Sequence, residues 1–360
     1  MSIPKEANSF IVHESPLRDF NLKLDQEDST FKLVKTPLRE IKEGELLIKT
    51  IYLSNDPTQR AWIQKGVPAD RMYVEPIRQG QIMASAGIGK VVSSKLDGYS
   101  PGDYVNCMLT WSDYTIIRRE HIVNKITDKS IPLTYYLDVF GITGLTAYMM
   151  FFRVISLKAT DTVVISAASG ATGSMCVQIA KKIIGCKRVI GIAGTDEKCR
   201  WVESIGADAC VNYHNKTFAK EMRAAIGKEK FCDVFVDSVG GRILDTMLTL
   251  TKPFGTIIAC GAIAGYNDIK KSMIVQWSQI ITNRLTVKGF IVTDFRKYYP
   301  EAIGHISRWI KDGKIVVNES SLTVVDLSDP EKFTQIPETW GTLFSSSKGT
   351  GKLLTQISKL

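Results

Sequence analysis

Residues 161–173 run Asp-Thr-Val-Val-Ile-Ser-Ala-Ala-Ser-Gly-Ala-Thr-Gly, an apolar β-rich stretch that stops abruptly in small side chains. A helical pattern follows through Met175, Ile179, Ile183 and Ile184. Strand, tight turn and helix in that order let backbone N–H groups and the positive end of a helix meet a pyrophosphate, provided no side chain blocks the approach. Ala168, Gly170 and Gly173 keep the spacing of the dinucleotide fingerprint, with alanine in place of its first glycine. Spacing alone is a weak signal, because glycines also end strands and cap helices. The context strengthens it: a cap at Gly185 and a second apolar strand from Val189 to Ala193 complete a β-α-β unit.

The end of that second strand bears on which dinucleotide is held. An acid at this point bonds the adenosine ribose hydroxyls of NAD, whereas a 2′-phosphate needs the acid absent and a cation nearby. Here the strand ends in Gly194 and Thr195, and Asp196, Glu197 and Lys198 open the next helix, with Arg200 behind them. This favours NADP, with Lys198 and Arg200 supplying charge. The other reading is that Asp196 and Glu197 complement the helix dipole while Lys198 is solvated.

The metal inventory bears on the acceptor. A zinc alcohol dehydrogenase needs a Cys, a His with a neighbouring Glu, and a further Cys or acid. Of the four histidines, His13, His121, His214 and His305, none lies in a His-Glu pair followed by glycines, and no metal ligand is assigned. Without a metal to polarise an alcohol, hydride must pass to an electron-poor acceptor, either a C=C conjugated to a carbonyl or a quinone.

These residues need an α/β scaffold. From 136 to 312 strands and helices alternate: helix 172–184, strand 188–193, helix 196–205, strand 209–212, helix 216–226 and strand 232–237. The series continues with helix 242–250, strand 256–260, a helix near 273–282, strand 286–292 and helix 299–312. Such alternation implies a doubly wound parallel sheet with helices on both faces. Residues 1–135 are mostly β, with strands at 46–52 and 88–92 and turns at Gly44, Gly66, Gly98 and Pro101-Gly102. The tail, 313–360, holds a strand at 322–325, a helix near 331–344 and a strand at 352–357, and is expected to return to the first domain. Residues 344–350 form its loosest stretch.

At 360 residues two domains are the natural expectation. With 44% hydrophobic and 23% charged residues and no long apolar run, the chain reads as globular, with no membrane span and no signal peptide. The seven cysteines form no CxxC pair, which argues for reduced thiols in an intracellular compartment. A net charge of +9 is spread along the chain without a dense basic tract, so a solvated surface is expected and nucleic acid is not. The final Ser358-Lys359-Leu360 is the tripeptide read by the peroxisomal import receptor, so a peroxisomal location is expected, or otherwise a cytoplasmic one.

Several strings together resemble a known family. They are Leu-Ser-Asn-Asp-Pro-Thr-Gln-Arg (53–60), Trp-Ser-Asp-Tyr (111–114), Gly-Ile-Thr-Gly-Leu-Thr-Ala-Tyr (141–148), Ala-Ala-Ser-Gly-Ala-Thr-Gly (167–173) and Gly-Thr-Asp-Glu-Lys (194–198). To these add Val-Asn-Tyr (211–213), Asp-Ser-Val-Gly-Gly (237–241) and Cys-Gly-Ala-Ile-Ala-Gly-Tyr-Asn (260–267). Over nearly its full length the chain resembles the zinc-independent medium-chain dehydrogenases/reductases, in the branch of leukotriene B4 dehydrogenase, prostaglandin reductase and alkenal double-bond reductases. The resemblance implies a GroES-like catalytic domain split around a Rossmann domain, a cleft between them, NADPH as cofactor, an enal or enone as substrate, and a homodimer.

It also implies roles by position. Gly170, Ala171, Thr172 and Gly173 cradle the pyrophosphate, and Lys198 and Tyr213 contact the 2′-phosphate. Cys260, Gly261, Ala262 and Tyr266, with Phe290, Ile291 and Val292, flank the nicotinamide half. Tyr266 matches the tyrosine that hydrogen-bonds the substrate carbonyl, where a phenol stabilises an enolate and helps deliver a proton; otherwise it is a turn residue before Asn267. Two cofactor positions depart from the pattern: Ser238 and Thr350 stand where the family has asparagine, so each offers one short hydroxyl in place of an amide. Asp56 and Arg60 are expected to fix a loop, and Trp111 and Tyr114 to be core aromatics. Two further functions stay open beside alkenal reduction: quinone reduction, and a non-catalytic NADPH-binding protein.

Overall fold

The computed structural model describes residues 4–345 and 349–360, so part of the loose stretch 344–350 lies outside the described residues. The chain divides into two compact units, one of residues 1–137, 324–348 and 353–360, the other of residues 138–323 and 349–352.

Among the described residues the second unit is built on six parallel strands: β1 (Thr162–Ile165), β2 (Arg188–Ala193), β3 (Ala209–Asn212), β4 (Cys232–Asp237), β5 (Thr251–Ala259) and β6 (Thr286–Gly289). Their spatial order is β3-β2-β1-β4-β5-β6. The order reverses between β1 and β4, and a doubly wound sheet binds its ligands at the carboxyl ends of the strands at such a point. Residues Thr162, Val163, Val164 and Ile165 are all buried, as a central parallel strand covered on both faces requires. Apolar side chains from the helices Phe218–Ile226 and Gly241–Leu248 complete one core, with Phe218, Met222, Ile243 and Met247 packed against Ile190, Val211 and Phe235.

The first unit carries a seven-stranded sheet of the GroES-like kind. Its order is Leu322–Asp326, Lys352–Gln356, Glu45–Asn55, Ala84–Ser94, Tyr104–Thr110 and Ile122–Ile126, with Tyr114–Arg118 also pairing to Glu45–Asn55. A separate antiparallel pair joins Glu6–Val12 to Phe31–Pro37. Phe10, Phe31, Trp111 and the tail residues Phe333 and Trp340 share one core, in which the Phe31 and Trp111 rings are 4.9 Å apart and those of Trp111 and Trp340 5.9 Å. Trp111 is a core aromatic; Tyr114 is half-buried. Arg60 is buried, and its guanidinium donates to the carbonyl of Arg18 at 2.5 Å, while Asp56 accepts from Ser54.

The element boundaries differ from expectation where side chains or prolines intervene. Only Ser278–Thr282 of the helix expected near 273–282 is α-helical; ahead of it Met273 is extended and Asp245 accepts from the amides of Val275 and Gln276, both at 2.7 Å. The helix expected near 331–344 is broken into a 3-10 turn Pro330–Gln335, a short helix Ile336–Gly341 and a second turn Thr342–Phe344; Pro337 lacks the amide that would carry the ladder through. The strand expected over 286–292 stops at Gly289, and a 3-10 segment Val292–Tyr298 follows.

Candidate active site

The turn after β1 is shaped by backbone packing. Ala167 has φ +47°, a left-handed conformation unusual for a residue with a side chain. The amide of Gly170 donates to the Ala167 carbonyl at 2.9 Å, and that of Ser174 to the Gly170 carbonyl at 2.9 Å. A Cβ on Gly173 would lie 2.2 Å from the Ala167 oxygen, so only glycine lets the helix Ala171–Gln178 start this close to the strand. Ala168, which stands at the fingerprint's first glycine, is fully buried and fits because Gly191 faces it: a Cβ on Gly191 would sit 3.0 Å from that of Ala168. The first amides of the helix, those of Ala171, Thr172 and Gly173, have no carbonyl of their own helix to bond. That arrangement fits an anionic group.

Three loops meet at this end of the sheet. Asp237 closes β4, is buried, and accepts through Oδ1 from the amides of Val239 at 3.0 Å and Gly240 at 2.9 Å and from the Ser166 hydroxyl at 3.4 Å. Ser166 Oγ in turn accepts from the Ser238 amide at 2.8 Å, linking the β1 and β4 loops. Burial raises the Asp237 carboxyl above the usual range, while the amides it receives oppose that shift. The β5 loop joins through the amide of Ala264, which donates to the Val239 carbonyl at 3.0 Å, and a Cβ on Gly261 would lie 3.1 Å from the Ser238 oxygen. Gly240 and Gly241 have φ +74° and +53°, so both glycines of the Asp-Ser-Val-Gly-Gly string are needed by the backbone.

The other site residues fall around these loops. Cys260 follows β5, and burial pushes its thiol up to about 11 against the lowering effect of the nearby Ser238 side chain. Ala262 is exposed; Gly261 and Tyr266 are half-buried, Tyr266 directly following the 3-10 turn Ile263–Gly265. Phe290, Ile291 and Val292 follow β6 and are half-buried, with the Phe290 and Phe295 rings 6.3 Å apart. Thr350 comes beside the glycine-rich turn because the Gly351 amide donates to the Ser169 carbonyl at 2.8 Å. Its hydroxyl is turned to the Ser320 carbonyl. Gly351 itself is obligatory, since a Cβ there would lie 1.9 Å from the Ser321 oxygen.

At the end of β2 the Tyr213 ring lies over Gly194, where a Cβ would come within 3.2 Å of the phenol oxygen. Thr195 Oγ1 accepts from the Lys198 amide at 3.1 Å and caps the helix Asp196–Ser204. Asp196 is engaged by Asn212, whose side-chain amide donates to it at 2.8 Å. The Lys198 side chain forms no ion pair among the described residues and is half-buried. Among the described residues no group of three His, Cys, Asp or Glu side chains could hold a metal ion.

Asp237, Ser166 and Gly351 were not singled out from the sequence. Asp237 does carry a signal, an acid ending an apolar strand before two glycines. Gly351 carries none, because its partners Ser169 and Ser321 are set by the fold.

Residues 171–308 match the family described as zinc-binding dehydrogenase, and residues 24–125 match that described as N-terminal domain of oxidoreductase. A 2-alkenal reductase (NADP(+)-dependent) of Nicotiana tabacum is 35% identical over 300 residues, covering 82% of this chain and 84% of its own. An uncharacterized membrane protein of Saccharomyces cerevisiae is 37% identical over 355 residues, 96% of each chain. In this chain no helix among the described residues is long and apolar enough to cross a membrane. Among solved structures, CurA from Vibrio vulnificus in complex with NADPH is similar with a TM-score of 0.84 and 27% identity, covering 98% of this chain and 100% of its own.

Proposed function

The chain belongs to the zinc-independent branch of the medium-chain dehydrogenases/reductases and is an NADP-dependent oxidoreductase; from that premise we propose that it reduces the C=C bond of α,β-unsaturated aldehydes and ketones. The observation that carries the reading is the knit of the β1, β4 and β5 loops at the carboxyl end of the sheet, with Tyr266 following the last of them.

Bound NADPH supplies the hydride, which goes to the β-carbon. The amides of Ala171, Thr172 and Gly173 receive the pyrophosphate, and Lys198 and Tyr213 the 2′-phosphate. Ser238 and Thr350 lend their positions without an amide, the Thr350 hydroxyl being engaged by the Ser320 carbonyl. Tyr266 donates a hydrogen bond to the substrate carbonyl oxygen, where negative charge gathers as the enolate forms. The α-carbon is then protonated.

Turnover of a linear alkenal and of a benzoquinone by the purified chain tests this. NADPH oxidation well above the protein-free rate with the alkenal, and slower with the quinone, is expected. Faster quinone turnover would make it a quinone reductase, and no turnover of either an NADPH-binding protein.

Two further assignments accompany this reading. We propose a homodimer through β6, an edge strand exposed at all four residues and neighboured in sequence by exposed Ile269 (77%), Met273, Val275, Trp277 (61%) and Ile281. Light scattering should then give twice the 40.0 kDa of one chain rather than that mass. We also propose that Ser358-Lys359-Leu360 is read by the peroxisomal import receptor. Lys359 and Leu360 are exposed, whereas Ser358 is 8% exposed and must be drawn out of the sheet margin. Deleting the tripeptide should turn a punctate fluorescent fusion diffuse; unchanged puncta would reject the address.

A further inference from the structure

The helix Asp196–Ser204 reaches β3 through Asp196, Cys199 and Glu203, three side chains spaced to share one helix face. The outer two are hydrogen-bonded: Asn212 Nδ2 donates to Asp196 at 2.8 Å, and the Cys210 amide donates to Glu203 Oε1 at 2.9 Å. Between these rungs Cys199, one turn after Asp196, and Cys210, on the same face of β3 as Asn212, are brought together. Gly191 on the neighbouring strand makes room for Cys210, since a Cβ there would lie 3.1 Å from Cys210 Sγ and 2.6 Å from Val202. Both thiols are free; Cys199 is buried and Cys210 half-exposed. The neighbouring Cys210 holds the Cys199 thiol below its ordinary value, whereas Cys199 and burial push the Cys210 thiol up. Cys199 directly follows Lys198, and Arg200 comes next.

We propose that Cys199 and Cys210 form a reversible disulfide that weakens binding of the 2′-phosphate end of NADPH. The oxidant is a hydroperoxide. The Cys199 thiolate attacks the O–O bond, which breaks to leave a sulfenic acid on Cys199 and a hydroxide or alkoxide that takes the thiol's proton. Cys210 sulfur then attacks Cys199 sulfur; the S–O bond breaks, the S–S bond forms, and the departing hydroxide leaves as water with the Cys210 proton. Two thiols lose two electrons and two protons, and hydrogen peroxide becomes two waters. Closing the bond draws the sulfurs to about 2.05 Å, pulling the first turns of the helix toward β3. Lys198 and the Thr195 cap move with those turns, whereas the pyrophosphate amides lie on a different helix.

The inference rests on the 2′-phosphate lying at Lys198, so the reduced chain is its own control. The full-length protein is treated with hydrogen peroxide, peptide-mapped by mass spectrometry, and titrated with NADPH and with NADH before and after dithiothreitol. Expected are a 199–210 crosslink 2 Da lighter than the dithiol, NADPH binding weakened about tenfold with NADH nearly unchanged, consistent with a disturbed charge-assisted contact, and full recovery on reduction. C210S and C199S should each keep their NADPH affinity through the same treatment. A reduced chain with no preference for NADPH overturns the premise. Absence of the crosslink, or a crosslink that leaves the NADPH-to-NADH ratio unchanged, overturns the switch itself.

Discussion

Replacing Tyr266 by phenylalanine should lower kcat for an enone by about a hundredfold, the usual cost of removing one donor from a developing oxyanion, while NADPH affinity stays within about twofold. The substitution removes one phenol oxygen and keeps the ring, so packing beside the Ile263–Gly265 turn is retained. Hydride addition at the β-carbon moves charge onto the carbonyl oxygen, and a donor there lowers the barrier more than it tightens the ground state. The loss should therefore fall on kcat more than on KM. Stopped-flow or steady-state assays of NADPH oxidation check the rate, and fluorescence titration checks the affinity. Equal kcat in the two proteins would leave Tyr266 as a turn residue; a loss confined to NADPH affinity would make it a cofactor contact alone.

Gly173→Ala is expected to destabilise the second unit by about 1–3 kcal/mol, the range for forcing extra atoms into a packed site, and to weaken NADPH binding by at least about tenfold. Helix propensity points the other way, since alanine is favoured over glycine inside a helix by about 1 kcal/mol. The clash wins because the added Cβ would meet main-chain atoms, the oxygen and carbon of Ala167 at 2.2 and 2.8 Å and Cα of Ala168 at 2.8 Å. No side chain can rotate away, so the helix must shift from the turn and carry the Ala171, Thr172 and Gly173 amides with it. Gly304→Ala is the matched control. Gly304 lies in the helix Tyr299–Lys311 with nothing within 4 Å of a built Cβ, so there propensity should prevail and stability should rise by about 0.5–1 kcal/mol. Thermal denaturation of both variants decides the matter; a neutral Gly173→Ala would mean that the close approach of helix and strand is not required.

These glycines show how far the sequence carries. The parallel strands were legible because strands buried on both faces are continuous apolar runs, and 188–193, 209–212 and 232–237 coincide with β2, β3 and β4. The segment 273–282 was not legible, because a carboxylate thirty residues away, Asp245, displaces helical hydrogen bonding at Val275 and Gln276. At the candidate site the glycine-rich turn and the helix cap at Thr195 are local features and could be read from spacing. The approach of Gly351 to Ser169 and the tie between Ser166 and Ser238 join residues far apart in the chain. Only the folded sheet brings them together, so no local pattern announces them. The ties of Asp196 to Asn212 and of Glu203 to the Cys210 amide, which bring Cys199 to Cys210, belong to the same class.

Isotope tracing most directly tests whether hydride from NADPH reaches the β-carbon of an enone. NADPH carrying deuterium at both C4 positions is supplied with an enone in ordinary water, and the product is analysed by NMR. One deuterium at the β-carbon and hydrogen from solvent at the α-carbon is the expected result. Deuterium on the carbonyl carbon of an allylic alcohol, or a product without deuterium, would contradict it.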